Sequence, residues 1–261
     1  MKRVIFNQKG GVGKSSITVN LAAVAAASGR KVAVIDLDPQ GNASQYLLGP
    51  DWVSAEGESI YDFFESTLSF RLHPPGLDTA LQSTPYDNLY VVPAHPELPA
   101  LHAKLEAKHK IYKLKEALDA LEDIDDVFID TPPALNFFSL SALVAADSCL
   151  VPFDCDEFAK QALLSLVETL QETQADHNPG LILEGVVVNQ FSARAKLPQQ
   201  IVASLEAESI PVCEVRLPSS VVMRESHQAH QPLVHFAPKH KLTDAFQALW
   251  QGLNSGSESV R

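Results

Sequence analysis

Short apolar runs alternate with longer stretches of helical period along most of the chain. RVIF (3–6), KVAVID (31–36), LYVVPA (89–94), DVFID (126–130), SCLVPF (148–153) and LEGVVVNQ (183–190) are rich in β-branched residues and read as strands. Residues 14–28 form an alanine-rich helical stretch closed by Gly29. Further helices are predicted at 97–107, 110–121, 136–146, 157–175, 197–208 and 241–253. Near-continuous apolar strands separated by helices predict an α/β fold, a mostly parallel doubly wound sheet with helices on both faces. Residues 50–88 break the pattern: they are rich in Pro, Gly and Ser, with HPPG at 73–76. They read as an irregular excursion with a short helix near Ile60–Glu65, either a partner or dimer surface or a plain long connection. Residues 1–253 are expected to form one domain, and NSGSESVR (254–261) a polar tail.

Composition narrows the functional classes. The 261 residues are 46% hydrophobic, enough for a sizeable core. A net charge of −12 excludes wholesale wrapping of nucleic acid, though not a local basic patch. Cys149, Cys155 and Cys213 form no CxxC pair and read as small apolar residues in a reducing cytosol. No secretory signal opens the chain, and no apolar run approaches the ~18 residues of a membrane span.

The strongest chemical signal is NQKGGVGKSS (7–16), placed between the first strand and first helix. Gly10, Gly11 and Gly13 let the backbone curl so that its N–H groups face one point, and the helix start adds its positive end. Lys14 is placed to reach phosphate, and the Ser15 hydroxyl to ligate Mg²⁺. The loop departs from G-x-x-x-x-G-K-[ST] at Gln8 and carries a second lysine, Lys9.

A phosphate loop needs carboxylates at neighbouring strand ends. DVFIDTPP supplies Asp130, which has the form of a carboxylate that holds Mg²⁺ through water. KVAVIDLDPQGN supplies Asp36 and Asp38, one for the metal shell and one to orient a water.

Together KGGVGKSS, VIDLDPQGN and FIDTPP resemble the ParA/MinD family of deviant-Walker P-loop ATPases. AADSCLVPFDCDEFAKQAL, LEGVVVNQF and EVRLPSS extend the resemblance over most of the chain, leaving 50–88 outside it. The resemblance implies a P-loop NTPase fold, ATP and Mg²⁺ as cofactors, and a nucleotide contact running through Lys9, Gly10, Gly11, Val12, Gly13, Lys14, Ser15 and Ser16. It makes Lys9 the lysine that reaches the partner subunit's nucleotide in an ATP-dependent homodimer. Mg·ATP keeps about two negative charges, so a second cation in a dry interface stabilises the dimer and the charge of phosphoryl transfer. It also implies that Asp38 positions the attacking water, that Asp36 and Asp130 serve the metal shell, that Asn189 reads the adenine edge, and that Leu217 and Pro218 lie near the base.

The family's members differ in what the dimer holds. The last helix, LTDAFQALWQGL, carries Asp244 and no basic residue, which is poor membrane chemistry; Phe246 and Trp250 are expected to pack on the core. Residues 190–241 carry a net +2 on an otherwise acidic chain. Arg194, Lys196, Arg216 and Arg224 in that stretch are therefore candidates for non-specific DNA contacts, doubled on dimerisation. The resemblance matches only Arg194 and Arg216 to DNA-contacting positions. It further implies a ParB-like or other adaptor that stimulates hydrolysis, and a cytoplasmic, nucleoid-associated protein that positions a chromosome, plasmid or protein assembly. The short stretch before the loop leaves no room for a helix-turn-helix. Two other readings stand beside this one: a DNA-independent switch recruiting a polar assembly, and a cobyrinic-acid amidating enzyme, disfavoured by Lys9 and the lack of an amidotransferase domain. His227, His230, His235 and His240 lack the carboxylate or cysteine of a zinc set and read as surface residues.

Overall fold

The computed structural model describes residues 1–54, 57–70, 72, 75–155 and 159–255. His73 and Pro74 of the HPPG turn, the first residues of the helix expected at 157–175, and the tail from 256 lie outside the described residues. The strands are β1 (Lys2–Ile5), β2 (Val32–Asp36), β3 (Gln82–Ser83), β4 (Leu89–Val92), β5 (Asp126–Asp130), β6 (Ser148–Asp154) and β7 (Ile182–Asn189). The helices are α1 (Lys14–Ala27), α2 (Asn42–Leu48), α3 (Ile60–Ser66), α4 (His102–Ala107), α5 (Lys113–Asp119), α6 (Phe137–Ala145), α7 (Ala159–Asp176), α8 (Lys196–Ala207), α9 (Val221–Gln228), α10 (Leu233–Phe236) and α11 (Lys241–Ser255).

All seven strands form one sheet in the order β3-β4-β2-β5-β1-β6-β7. Every pairing is parallel except that of the two-residue edge strand β3 with β4. The pleat sorts each strand's side chains onto two cores. Val4, Ala33, Ile35, Val127 and Ile129 face one core, filled by Phe137 and Leu143 of α6, Leu166 of α7 and Leu205 of α8. Ile5, Val32, Val34 and Phe128 face the other, filled by Ile17 and Leu21 of α1 and by Phe246, Leu249 and Trp250 of α11. Burial on both faces explains why these strands read as continuous apolar runs.

The sequence missed α2, α9, α10 and β3. These elements are short, and tertiary packing holds them. In the described part of 50–88, the short helix expected near Ile60–Glu65 is α3. Ser59 and Asp62 form a capping box that starts α3. Ile60, Phe63, Phe64, Leu77 and Ala80 from this excursion are all buried in the first core.

The chain passes from β1 to β2 and outward to β4, then returns to insert β5 between β2 and β1. Its direction of travel therefore reverses beside β1, where ligands of open parallel sheets bind beyond the strand ends. Register finishes the arrangement: Asp130 lies level with Ile5 on one side and with Asp36 on the other.

Candidate nucleotide site

The loop after β1 is anchored at both ends. Asn7 donates its side-chain amide to the Pro152 carbonyl at 2.7 Å, and its Oδ1 accepts the Lys9 backbone N–H at 2.9 Å. At the other end Gly13 adopts φ 93° and caps α1. A Cβ there would lie 2.4 Å from Asn189 Nδ2, so this position needs glycine for conformation and for space. Asn189 holds the loop through that same nitrogen, which donates to the Val12 carbonyl at 2.9 Å.

Two cavities meet at this loop. The larger, about 850 Å³, is lined by Gly10, Lys14, Ser15, Asp38, Tyr46 and His227 among others. The smaller, about 440 Å³, is lined by Asn189, Pro218, Met223, Arg224 and Phe246 among others. Gly11, Gly13, Ser16 and His227 belong to both. Two chambers that meet at the loop, each lined by both polar and apolar groups, suit a molecule with a phosphate end and a planar base.

Lys14 is buried, and its Nζ donates to the Lys9 carbonyl at 3.1 Å. Burial pulls its ammonium below the ordinary value, while Asp130 and Asp38 act in the opposite direction. Lys9 is exposed and lines neither cavity. The two lysines of one loop therefore face different surroundings.

The three carboxylates converge but differ in function. Asp36 is fully buried and saturated: it accepts the Ser44 N–H at 2.8 Å, the Ser44 hydroxyl at 2.7 Å and the Asp38 N–H at 3.1 Å. Burial raises its carboxyl to about 6 despite those bonds. Asp130 accepts the Thr18 hydroxyl through Oδ1, at 3.3 Å, and its Oδ2 is buried without a hydrogen-bond partner. Burial, and then the Asp36 charge, push it well above the carboxylate range, with Ser15 and Lys14 opposing. Asp38 lines the larger cavity and accepts the Gln40 N–H at 3.0 Å. Burial raises it too, against Gln40 and Lys14.

An orphaned, fully buried carboxylate oxygen next to the serine of a phosphate loop fits a divalent cation. Among the described residues no group of three or more His, Cys, Asp or Glu is placed to hold a metal. A cation here would thus share ligands with bound phosphate, as Mg²⁺ commonly does.

Several expected residues take other places. Leu217 is buried in the second core and lines neither cavity; its backbone links β7 to the turn, so Pro218 alone reaches the smaller cavity. Val12 is buried, and its backbone carbonyl, not its side chain, serves the site. Arg224 is in the wall of the smaller cavity. Arg194 and Lys196 are exposed at the start of α8. Arg216 lies over the Phe191 ring at 5.1 Å and faces Glu206 at 3.6 Å. Of the histidines read as surface residues, His235 is exposed, while His227 and His230 are half-buried. His227 Nε2 meets Ser16 Oγ at 3.1 Å, His230 Nδ1 meets the Gln45 carbonyl at 3.1 Å, and His235 stacks on Tyr86 at 4.4 Å. Tyr46 escaped the sequence reading because α2 escaped it, and His227 was read as a surface residue because α9 escaped it. Ser220, whose side chain accepts the Val222 N–H, was the available cap signal for α9.

No helix among the described residues is long and apolar enough to cross a membrane. Phe246 and Trp250 pack α11 onto the core, as expected.

Comparison with known proteins agrees with the geometry. The model of a family described as "AAA domain" matches residues 2–183. The chromosome partitioning protein ParA of Myxococcus xanthus is 34% identical over 253 residues, covering 95% of this chain and 86% of the relative. A solved cobyrinic acid a,c-diamide synthase from Mycobacterium smegmatis, with bound ADP and magnesium, is 26% identical with a TM-score of 0.83, over 100% of this chain and 96% of that one. A chain bearing that description thus matches this one in extent, so the lack of an amidotransferase domain does not discriminate. The cell division ATPase MinD of Pyrococcus furiosus shares the fold at 24% identity and a TM-score of 0.77, over 97% and 98% of the two chains. The chain belongs to the ParA/MinD family of P-loop ATPases, the partition and positioning ATPases.

Proposed function

We propose that this protein is a positioning ATPase whose ATP-bound form is a sandwich dimer that holds nucleoid DNA without sequence preference. A partner of the ParB-like adaptor class stimulates hydrolysis and releases it. The cargo is a chromosome, a plasmid or a protein assembly, and the protein works in the cytoplasm on the nucleoid, not on membrane.

The observation that carries this reading is the divergence of two lysines in one loop. Lys14 turns into its own cavity, whereas Lys9 is exposed and lines neither cavity. An exposed cation on the phosphate loop, outside both cavities, suits the phosphates of a second subunit. Lys14 and the loop N–H groups then bind the triphosphate, and Asp38, in the cavity wall, orients a water toward it. Ser15 and Asp130 would hold Mg²⁺, which neutralises phosphate charge; Asp36, saturated by Ser44, fixes the turn carrying Asp38.

Exposed Arg194 and Lys196 support phosphate contacts, and Arg216 joins them by exchanging Glu206 for DNA. Arg224, in the cavity wall, is left out of that set.

The test is sedimentation of the protein with random-sequence DNA in ATP and in ADP, beside its oligomeric state. ATP should dimerise the wild type and bring it down with DNA. Lys9→Ala should bind nucleotide but stay monomeric, Lys14→Ala should lose nucleotide, and Asp38→Ala should persist as a dimer. Arg216→Glu should dimerise without binding DNA. A Lys9→Ala protein that dimerises normally refutes the sandwich. A wild-type dimer that ignores DNA at low salt leaves the protein-recruitment switch in its place.

A further inference from the structure

The two cavities adjoin where they share lining residues. Of the four residues common to both, Gly11 and Gly13 offer only backbone, and Ser16 and His227 offer side chains. His227 reaches this shared wall from α9 and touches the Ser16 hydroxyl through Nε2 at 3.1 Å. Nothing in the phosphate loop's sequence calls for this histidine, which is 211 residues away along the chain.

The ring is held from behind. Its edge-on contact with Tyr46 has a centroid separation of 4.5 Å. The Tyr46 hydroxyl bonds to Ser226, which is fully buried and also donates to the Gln231 carbonyl at 2.6 Å. Asn20 of α1 donates to Tyr46 at 3.3 Å and accepts the Leu233 N–H at 2.8 Å. The helix carrying the phosphate loop thus fixes the segment carrying His227.

We infer that His227 is a positioning residue for the nucleotide, exchanging the Ser16 hydroxyl for the ribose–α-phosphate junction of a bound nucleoside di- or triphosphate. This rests on the proposed ATP site. A nucleotide with its phosphates in the larger cavity and its base in the smaller must pass its ribose and α-phosphate between them. That portion of the ligand lies against His227, whose neutral ring carries one donor and one acceptor. Its partner in the bare protein is a hydroxyl, so the exchange leaves no buried charge behind. The contact also joins the site to α9, because the same ring packs edge-on against Tyr46, which bonds Ser226 of α9.

The experiment measures affinity for a fluorescent ATP analogue and the matching ADP analogue, with and without Mg²⁺. It uses wild type, Lys14→Ala, His227→Ala, His227→Gln and His227→Phe. Loss of one hydrogen bond to the ligand predicts about tenfold weaker binding of both nucleotides by His227→Ala. His227→Gln, which keeps a donor, should recover most of that loss; His227→Phe, which keeps only a ring, should not. Melting without nucleotide reports whether each variant is folded. Rescue by His227→Phe and not by His227→Gln would overturn the inference, because the ring would then only pack α9. Wild-type affinity in all three variants would overturn it as well. If the wild type itself binds no better than Lys14→Ala, the ATP site fails first, and the two failures are told apart.

Discussion

Replacing Gly13 by alanine perturbs the phosphate loop in two separable ways. The first is conformational. At φ +93° an L-residue costs about 1–2 kcal/mol, offset by roughly 0.4–1 kcal/mol from the stiffer unfolded chain, for a net near ~1 kcal/mol. The second is steric. The new methyl would meet Asn189 Nδ2 at 2.4 Å, so the amide must turn away and give up its 2.9 Å bond to the Val12 carbonyl. Losing that bond costs about 1 kcal/mol. Gly13→Ala should therefore destabilise by about 2 kcal/mol. Gly11 is the internal control: its φ is also positive, +76°, but a Cβ there meets nothing within 4 Å, so Gly11→Ala should cost only about 1 kcal/mol. Urea unfolding of Gly13→Ala, Asn189→Ala and the double variant closes a thermodynamic cycle. The expected coupling is about 1 kcal/mol, above the ~0.3–0.5 kcal/mol scatter of independent sites. Additive losses would refute the claim that Asn189 restrains the loop through this contact.

Two further outcomes follow from groups buried in the sheet. Arg3, fully buried, bonds Glu184 at 3.0 and 3.1 Å, reaches Asp126 at 3.4 Å and packs over Trp250 at 5.2 Å. Arg3→Met should cost about 3–5 kcal/mol in urea unfolding, because Glu184 keeps the Ser148 hydroxyl but loses its cation, and adding Glu184→Gln should restore part of it. The second concerns pH. Asp36 has a folded value near 6, above the ordinary 3.8, so the stability it contributes is full below about 4 and is lost as pH rises through 6. Asp130 is raised in the same direction. In chelator, Asp130→Asn should therefore gain melting temperature over wild type as pH rises from 5 to 7.5; a constant difference would count against charge repulsion in the pair.

The strands, the phosphate loop and the carboxylates were legible in the linear chain because each rests on local chemistry. β-branched runs flanked by turns are strands, and three glycines before a helix make an anion cradle wherever the sheet lies. The motif spacing also carried the family, which the comparisons bear out. Register and long-range packing decided the rest. Only the pairing of β2 with β5 shows that Asp36 and Asp130 share one buried space, and only the contact with Ser44 shows that Asp36 is saturated while an Asp130 oxygen is not. Leu217 and Pro218 are neighbours in sequence, yet one faces the core and the other a cavity, because an extended chain sends successive side chains to opposite sides. His227 could not be found from its neighbours at all. It reaches Ser16 because a short helix docks on Tyr46 and Asn20, and that docking exists only once the core has formed.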